Sequence, residues 1–359
     1  MIARLSTLDR FLPLWIVLAM AAGLGLGSLV PGLNGTLSSV QITGTSLPIA
    51  IGLLVMMYPV LARVRYEELG RLRAERGLFA SSLMLNWLIG PALMFALAWL
   101  LLPDQPAYRT GLIIVGLARC IAMVLIWSDL ACADRDATAV LVAINSVFQI
   151  LAYSLLGYLY ITVLPSWLGL HSQQIDIGLW PVARTVLIFL GVPLAGGYLT
   201  RRLGLCARGR DWYEQRFLPR IGPLALYGLL FTIVVLFALQ GHQITHHPLD
   251  VVRIALPLLA YFAVMFSVSF AWGIALRLGY ERTATLAFTA ASNNFELAIA
   301  VAIGVFGATS GQALAGVVGP LIEVPVLVCL VYVALWARRF FTPAPTPTTP
   351  RRRLAGEQA

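Results

Sequence analysis

The sequence predicts an all-α polytopic membrane protein, with ten transmembrane helices folded as two inverted five-helix repeats. Three observations predict it. The chain of 359 residues is 59% hydrophobic and only 11% charged, with a mean hydropathy of +0.85, whereas a soluble domain carries about 25% charged residues. Ten apolar runs, each long enough to cross a bilayer at roughly 17–25 residues per span, lie at 11–30, 46–62, 78–102, 110–128, 137–164, 178–200, 221–240, 252–276, 283–306 and 312–337. The arginines gather in alternate connections between these runs. Ten spans with short loops leave no room for a separate soluble domain.

Run 11–30 follows Arg4 and Arg10 as a signal peptide would, but it is too long for a signal h-region and no small-x-small cleavage site precedes the next span. It reads as helix 1. Its "GLGLGS" at 23–28 has no strand before it, so the glycines read as a close helix contact. Arg63, Arg65, Arg71, Arg73 and Arg76 lie between helices 2 and 3, and Arg201, Arg202, Arg208, Arg210, Arg216 and Arg220 between helices 6 and 7. Arg277 and Arg282 follow helix 8, and Arg338, Arg339, Arg351, Arg352 and Arg353 follow helix 10. Positive loops stay on the cytoplasmic side, so both termini are expected there. The intervening loops agree, since 31–45 and 307–311 are uncharged and 240–251 carries Asp250 with three histidines. One loop dissents: 129–136 should be cytoplasmic, yet it holds Asp129, Asp134 and Asp136 against Arg135.

The net charge of +9 is dispersed over loops and makes no basic face, so the expected partner is the lipid bilayer and not nucleic acid. Cys120, Cys132, Cys206 and Cys329 match no zinc spacing and lie at different depths, which argues against a disulfide framework. No cofactor is expected. Residues 341–359 are Pro/Thr-rich and then basic, and read as a disordered cytoplasmic tail with an affinity for anionic lipid. Nothing in the sequence specifies an oligomeric state.

A shift of 174 residues aligns the two halves, 1–164 and 165–340. It lays "GLARCIAM" on "AASNNFEL", so that Arg119 and Cys120 fall on Asn293 and Asn294. It also lays "AINSVFQI" on "VVGPLIEV", pairing Asn145 with Gly319 and Gln149 with Glu323. Five helices per half is an odd number, so the second half enters the membrane from the opposite side, the architecture of many secondary transporters. At about 1.5 Å per residue, Cys120, Gln149, Asn294 and Glu323 all lie roughly 15–18 Å from their helix ends, near the midplane of a ~30 Å hydrocarbon core. Such transporters hold substrate at that depth, between the repeats.

Three clusters carry chemistry. Helix 9 is interrupted by Ser292, Asn293, Asn294 and Glu296; amides and hydroxyls offer the backbone alternatives to the helical ladder, so a local break is expected there. A broken helix exposes backbone groups, which survive in lipid only inside protein or beside a cavity. Helix 10 carries Glu323 between Pro320 and Pro325. An ionisable group at midplane is a functional-site hypothesis by default, and burial disfavours its charged form, so Glu323 reads as a proton carrier, with prolines that loosen the ladder around it. Helix 4 carries Arg119 beside Cys120. Arginine at this depth costs roughly 3 kcal/mol or more; either the helix is distorted there, mirroring helix 9, or Arg119 serves another partner, with Glu323, Asp129 or a water-filled vestibule as candidates. A thiol facing a carboxyl suggests a soft, thiophilic substrate. Only Cys120 is at midplane, which argues against a three-thiolate trap.

"GLARCIAMVLIWSDLACAD", "AINSVFQ", "SNNFELAIAVAIGVFG" and "SGQALAGVVGPLIEVPVLV" closely resemble the arsenical-resistance arsenite efflux transporters, a branch of the bile acid/sodium symporter superfamily. The likeness runs from helix 1 to helix 10. It implies a panel of helices 1, 2, 6 and 7 and a core of helices 3–5 and 8–10, with helices 4 and 9 unwound where they cross. It also implies that Cys120 and Glu323 are the functional pair, that arsenite and in some members antimonite is exported from the cytoplasm across the cell inner membrane in exchange for protons, and that the chain is not an enzyme.

On this reading Cys120 makes the soft contact, the polar groups of Asn145, Gln149, Ser292, Asn293 and Asn294 hydrogen-bond the substrate hydroxyls, and Glu323 loads a proton, with Glu296 as the next candidate proton site. The alternative is a sodium-coupled organic anion importer of the same fold, with Glu296, Asn294 and Gln149 coordinating sodium. An intramembrane enzyme with Cys120 as nucleophile lacks a base: His171, His242, His246 and His247 all fall in external loops.

Overall fold

A computed structural model describes residues 12–30, 41–42, 45–65, 76–170, 178–246 and 248–341. The expectations for Arg4, Arg10, Arg71, Arg73, Arg351, Arg352, Arg353 and the tail after Phe341 fall outside these residues. The described chain is helical apart from its connections and one ladder of two residues a side, Gln41–Ile42 against Thr45–Ser46. The helices are α1 (Leu12–Leu29), α2 (Leu47–Ala62), α3 (Arg76–Leu101), α4a (Pro106–Leu117), α4b (Met123–Leu130) and α5 (Arg135–Tyr158, running on to Trp167). There follow α6 (179–212), α7 (Leu218–His246), α8 (Pro248–Ala275), α9a (Tyr280–Ala291), α9b (Phe295–Phe306) and α10 (Gly311–Ala337). Among the described residues five stretches are long and apolar enough to cross a membrane, including Arg76–Leu101, Arg135–Trp167 and Gly311–Phe340. Their outward-facing side chains are large and apolar, among them Leu88, Leu100, Leu151, Leu155 and Tyr332, as lipid requires.

Local chemistry sets the helix ends. The Asp134 carboxylate accepts from Ala137 N at 3.0 Å at the start of α5, and the Ser310 hydroxyl accepts from Ala313 N at 3.1 Å at the start of α10. Both are N-caps of the usual kind. α4a and α9a have bounds offset by the same 174 residues at each end, and each is followed by a break and a second helical piece.

Two sets of helices pack separately. α7 lies against α1 and α2, and α6 against α2. The contacts are close because glycines meet backbone: Gly23 and Gly27 of α1 face Val234 and Ala238 of α7, whereas nothing faces Gly25, and Gly228 of α7 faces Gly52 and Met56 of α2. The "GLGLGS" string is therefore a packing face. In the other set α10 lies on α4a, α8 and α9b, α8 also covers α9a and α3, and α5 backs α4b and α9a. The first part of α6 reaches α5 and α9b and joins the two sets.

The charged loops segregate to the two ends. At one end Arg65 approaches both Asp136 and Glu214 at 3.6 Å, Arg210 pairs with Glu214 at 3.1 Å and Arg282 approaches Asp134 at 3.9 Å. This resolves the dissent of loop 129–136. Asp136 and Asp134 meet arginines from elsewhere in the chain and Asp129 meets Arg135 of its own loop at 3.5 Å, so the end as a whole stays basic. At the opposite end Arg253 pairs with Asp104 at 2.7 Å and holds that carboxyl below its ordinary range, and Tyr108 donates to Asp250 at 2.8 Å.

Candidate functional site

The α4 and α9 breaks meet. Residues between α4a and α4b and between α9a and α9b leave the helical region, with Ala118 at φ −83°, ψ 114° and Ser292 at φ −89°, ψ 146°, and Arg119 and Asn293 form an antiparallel bridge. Cys120 N donates to Ser292 O at 3.4 Å, and Asn294 N donates to Ala118 O at 3.0 Å. Each break thus satisfies backbone groups that the other strips from its helix, which lets non-helical backbone exist at this depth. The Asn294 side chain restarts α9b as its N-cap, accepting from Leu297 N at 3.1 Å. α4b has a sulfur in the corresponding place: Cys120 Sγ accepts from Val124 N at 3.3 Å.

The outward edges of the bridge are held from α5 and α10. Gln149 grips Arg119 twice, its Oε1 accepting from Arg119 N and its Nε2 donating to Arg119 O, both at 3.0 Å. On the other side Glu323 Oε1 accepts from Asn293 N at 3.3 Å. Cys120 and Glu323 are 2% and 3% exposed. Glu296 is half-buried and faces a small cleft toward α7 lined by Thr232, Ile233, Ile299, Val317 and Pro320.

Several expectations need correction. Arg119 contacts neither Glu323 nor Asp129. Its Nη1 donates to Tyr261 Oη at 2.8 Å and to Ala290 O at 3.4 Å, and its Nη2 donates to Gly116 O. The distorted backbone turns it toward α8, and Gly90 of α3 leaves the space: a Cβ there would meet Arg119 Nη1 at 2.9 Å and Tyr261 Oη at 3.1 Å. Tyr261 and Gly90 are absent from the sequence-derived site, because an aromatic and a glycine in apolar runs give no local signal. Gln149, expected on the substrate, has its amide committed to Arg119. Asn145 Oδ1 accepts from Trp87 Nε1 at 3.1 Å and the Ser292 hydroxyl donates to Phe288 O at 2.6 Å, which leaves the Asn145 Nδ2 without a partner among the described residues and the Ser292 oxygen able to accept. Pro320 and Pro325 lie inside α10, which stays continuous from Gly311 to Ala337, and neither has an N–H to add to its ladder. Pro320 faces the Glu296 cleft, and Pro325 points outward.

Some buried polar atoms in this region have no partner among the described residues: Asn293 Oδ1, Asn294 Nδ2, Asn145 Nδ2 and Arg119 Nε. Asn293 spends its Nδ2 on Val115 O at 2.7 Å. Orphan donors and acceptors at this depth are costly, and both kinds occur at the crossing.

Gly319 fixes the approach of α10 to α9b, since a Cβ there would overlap the edge of the Phe295 ring. Phe295 is 1% exposed and packed against Phe262, so it has nowhere to move. Gly319→Ala is expected to cost about 1–3 kcal/mol through overpacking, read as a lower yield and melting temperature of detergent-purified protein.

A profile of the Sodium Bile acid symporter family matches residues 50–247. The chain belongs to that family. Among its relatives is the arsenical-resistance protein Acr3 of Corynebacterium glutamicum, 60% identical over 334 residues that cover 93% of this chain and 90% of the relative. Acr3 of Alkaliphilus metalliredigens is 32% identical over 343 residues, covering 93% and 94%. An uncharacterized transporter of Synechocystis is 36% identical over 358 residues, covering 93% and 91%. As a member of the symporter family, with several helices that can span a bilayer, this chain is a multi-pass membrane transporter and not an enzyme.

Proposed function

We propose that this symporter-family member is a secondary active exporter of arsenite from the cytoplasm, with antimonite as an alternative cargo, driven by exchange for protons. The observation that carries the reading is the crossing itself, where the thiol of Cys120 and the carboxyl of Glu323 flank two interrupted helices. The Acr3 relatives, named for arsenical resistance, direct it to arsenite. Trivalent arsenic is soft and prefers sulfur. In binding, the Cys120 S–H and one As–OH are exchanged for an As–S bond and a molecule of water, with no change of oxidation state. One thiolate bond is reversible enough for release. The remaining arsenite hydroxyls offer donors and acceptors to Asn293 Oδ1 and Asn294 Nδ2, which lack partners otherwise, with Asn145 Nδ2 and the Ser292 hydroxyl nearby in the polar set. Glu323 carries the proton, and Glu296 in the cleft is the group through which it exchanges with water.

The transport architecture follows from two inverted five-helix repeats, 1–164 and 165–340. Its support is the 174-residue offset between α4a and α9a and the reciprocity of the crossing bonds. Exchanging the halves turns Cys120 N–Ser292 O into Asn294 N–Ala118 O, and Gln149 on Arg119 into Glu323 on Asn293. A two-fold axis in the membrane plane generates such pairs. The basic end then lies in the cytoplasm with both termini, in the cell inner membrane.

In an arsenite-sensitive cell the expressed chain should lower steady-state arsenite content and restore growth. Unchanged content at verified membrane abundance contradicts the reading, and a sodium requirement for transport in everted vesicles would favour the organic anion alternative.

A further inference from the structure

Arg119 is 0% exposed, and every oxygen that its guanidinium meets belongs to a neutral group: Gly116 O, Ala290 O and Tyr261 Oη. The two carbonyls hold the same place in the two repeats. Gly116 is the next-to-last residue of α4a, which ends at Leu117, and Ala290 is the next-to-last residue of α9a, which ends at Ala291. The last turn of a helix has carbonyls that its own ladder leaves free, and each such end carries roughly half an elementary negative charge. Two ends of that kind balance one guanidinium. Other carbonyls of the α4a turn are taken by neutral donors, with Tyr153 Oη on Ile114 O at 2.8 Å and Asn293 Nδ2 on Val115 O at 2.7 Å. The single charge therefore sits where the two negative helix ends converge. In secondary transporters with interrupted helices, C-terminal helix ends and unwound carbonyls are the groups that coordinate a coupling cation.

We propose that Arg119 is a tethered cation: its guanidinium fills the place between the C-terminal ends of α4a and α9a that sodium would otherwise occupy, and residue 119 thereby makes this transporter independent of sodium. Arg119 is then a specificity-determining residue for the coupling ion. The side chain suits the place, because a guanidinium is charged at every physiological pH and is more weakly hydrated than an ammonium. It cannot diffuse away, since Gln149 fixes its backbone at both N–H and C=O. Gly90 leaves the room for it, as a Cβ there would meet Arg119 Nη1 at 2.9 Å. A guanidinium that only ties the two breaks together would need its donors and not its charge. The inference rests on the reading of the crossing as a transport site, and it holds whether or not the cargo is arsenite.

The test uses purified full-length protein in detergent without arsenite, its melting temperature read in sodium chloride and in N-methyl-D-glucamine chloride at equal ionic strength. The native chain should melt at the same temperature in both salts. In Arg119→Ala the vacated oxygens should take sodium, and binding to the folded state should raise the melting temperature by about 2–4 °C for each tenfold of sodium above half-saturation. Arg119→Gln keeps N–H donors without the charge; it should respond as the alanine variant does, and carries the test if that variant does not fold. Arg119→Lys keeps the charge and should be as insensitive as the native chain. A sodium response in the native chain or in Arg119→Lys overturns the tethered cation, and so do neutral variants that melt alike in the two salts. These measurements contain no arsenite, so they can fail while the export assay succeeds, and the reverse.

Discussion

Cys120→Ser is expected to abolish arsenite resistance, returning cells to the sensitivity of those without the transporter, at unchanged membrane abundance. The substitution is small on the protein's side. Serine keeps an acceptor for Val124 N, which the thiol sulfur meets at 3.3 Å, and the backbone bond from Cys120 N to Ser292 O does not involve the side chain. The crossing should therefore form. What is lost is softness: an alcohol oxygen offers arsenic nothing that water does not, so the driving force for leaving bulk water disappears. No other thiol can substitute, because Cys132, Cys206 and Cys329 are exposed on other parts of the chain. Growth on arsenite and whole-cell arsenic content are the measurements, and retained resistance would remove the soft-ligand role.

Glu323→Gln is expected to eliminate the response to an imposed pH gradient while leaving folded, membrane-inserted protein. The amide oxygen preserves the acceptor for Asn293 N, held by Glu323 at 3.3 Å, but the side chain has no proton to release. In everted vesicles an acid-inside gradient should drive arsenite accumulation by the native chain, and accumulation by the variant should fall to its level without a gradient. If gradient dependence survives, the proton resides elsewhere, with Glu296 in the α7 cleft as the next carboxyl.

Much of this arrangement is legible in the sequence because lipid enforces it. Apolar length marks the helices, since every backbone group must be satisfied internally, and four polar residues in five, Ser292 to Glu296, mark the α9 break. The α4 break is harder to see. Its neighbours Ile121 and Ala122 are apolar, and only the cost of Arg119 signals it. The 174-residue shift links Gln149 to Glu323 but not their roles, because whether an amide faces substrate or backbone depends on where the facing strand runs. Tyr261 and Gly90 carry no periodic or compositional signal; their meaning arises when α3, α4 and α8 converge on one guanidinium. Loop charges mislead for a related reason, since Asp136 and Asp134 meet Arg65 and Arg282, which are distant in sequence. The prolines of α10 would interrupt an isolated helix, yet packing keeps this one continuous.

The most direct test of the central claim, that arsenite is held by a single thiol at the crossing, is the arsenic X-ray absorption spectrum of the purified protein with arsenite bound. One sulfur neighbour alongside oxygens is predicted, with the sulfur lost in Cys120→Ser. An all-oxygen environment, the same in both proteins, would contradict it.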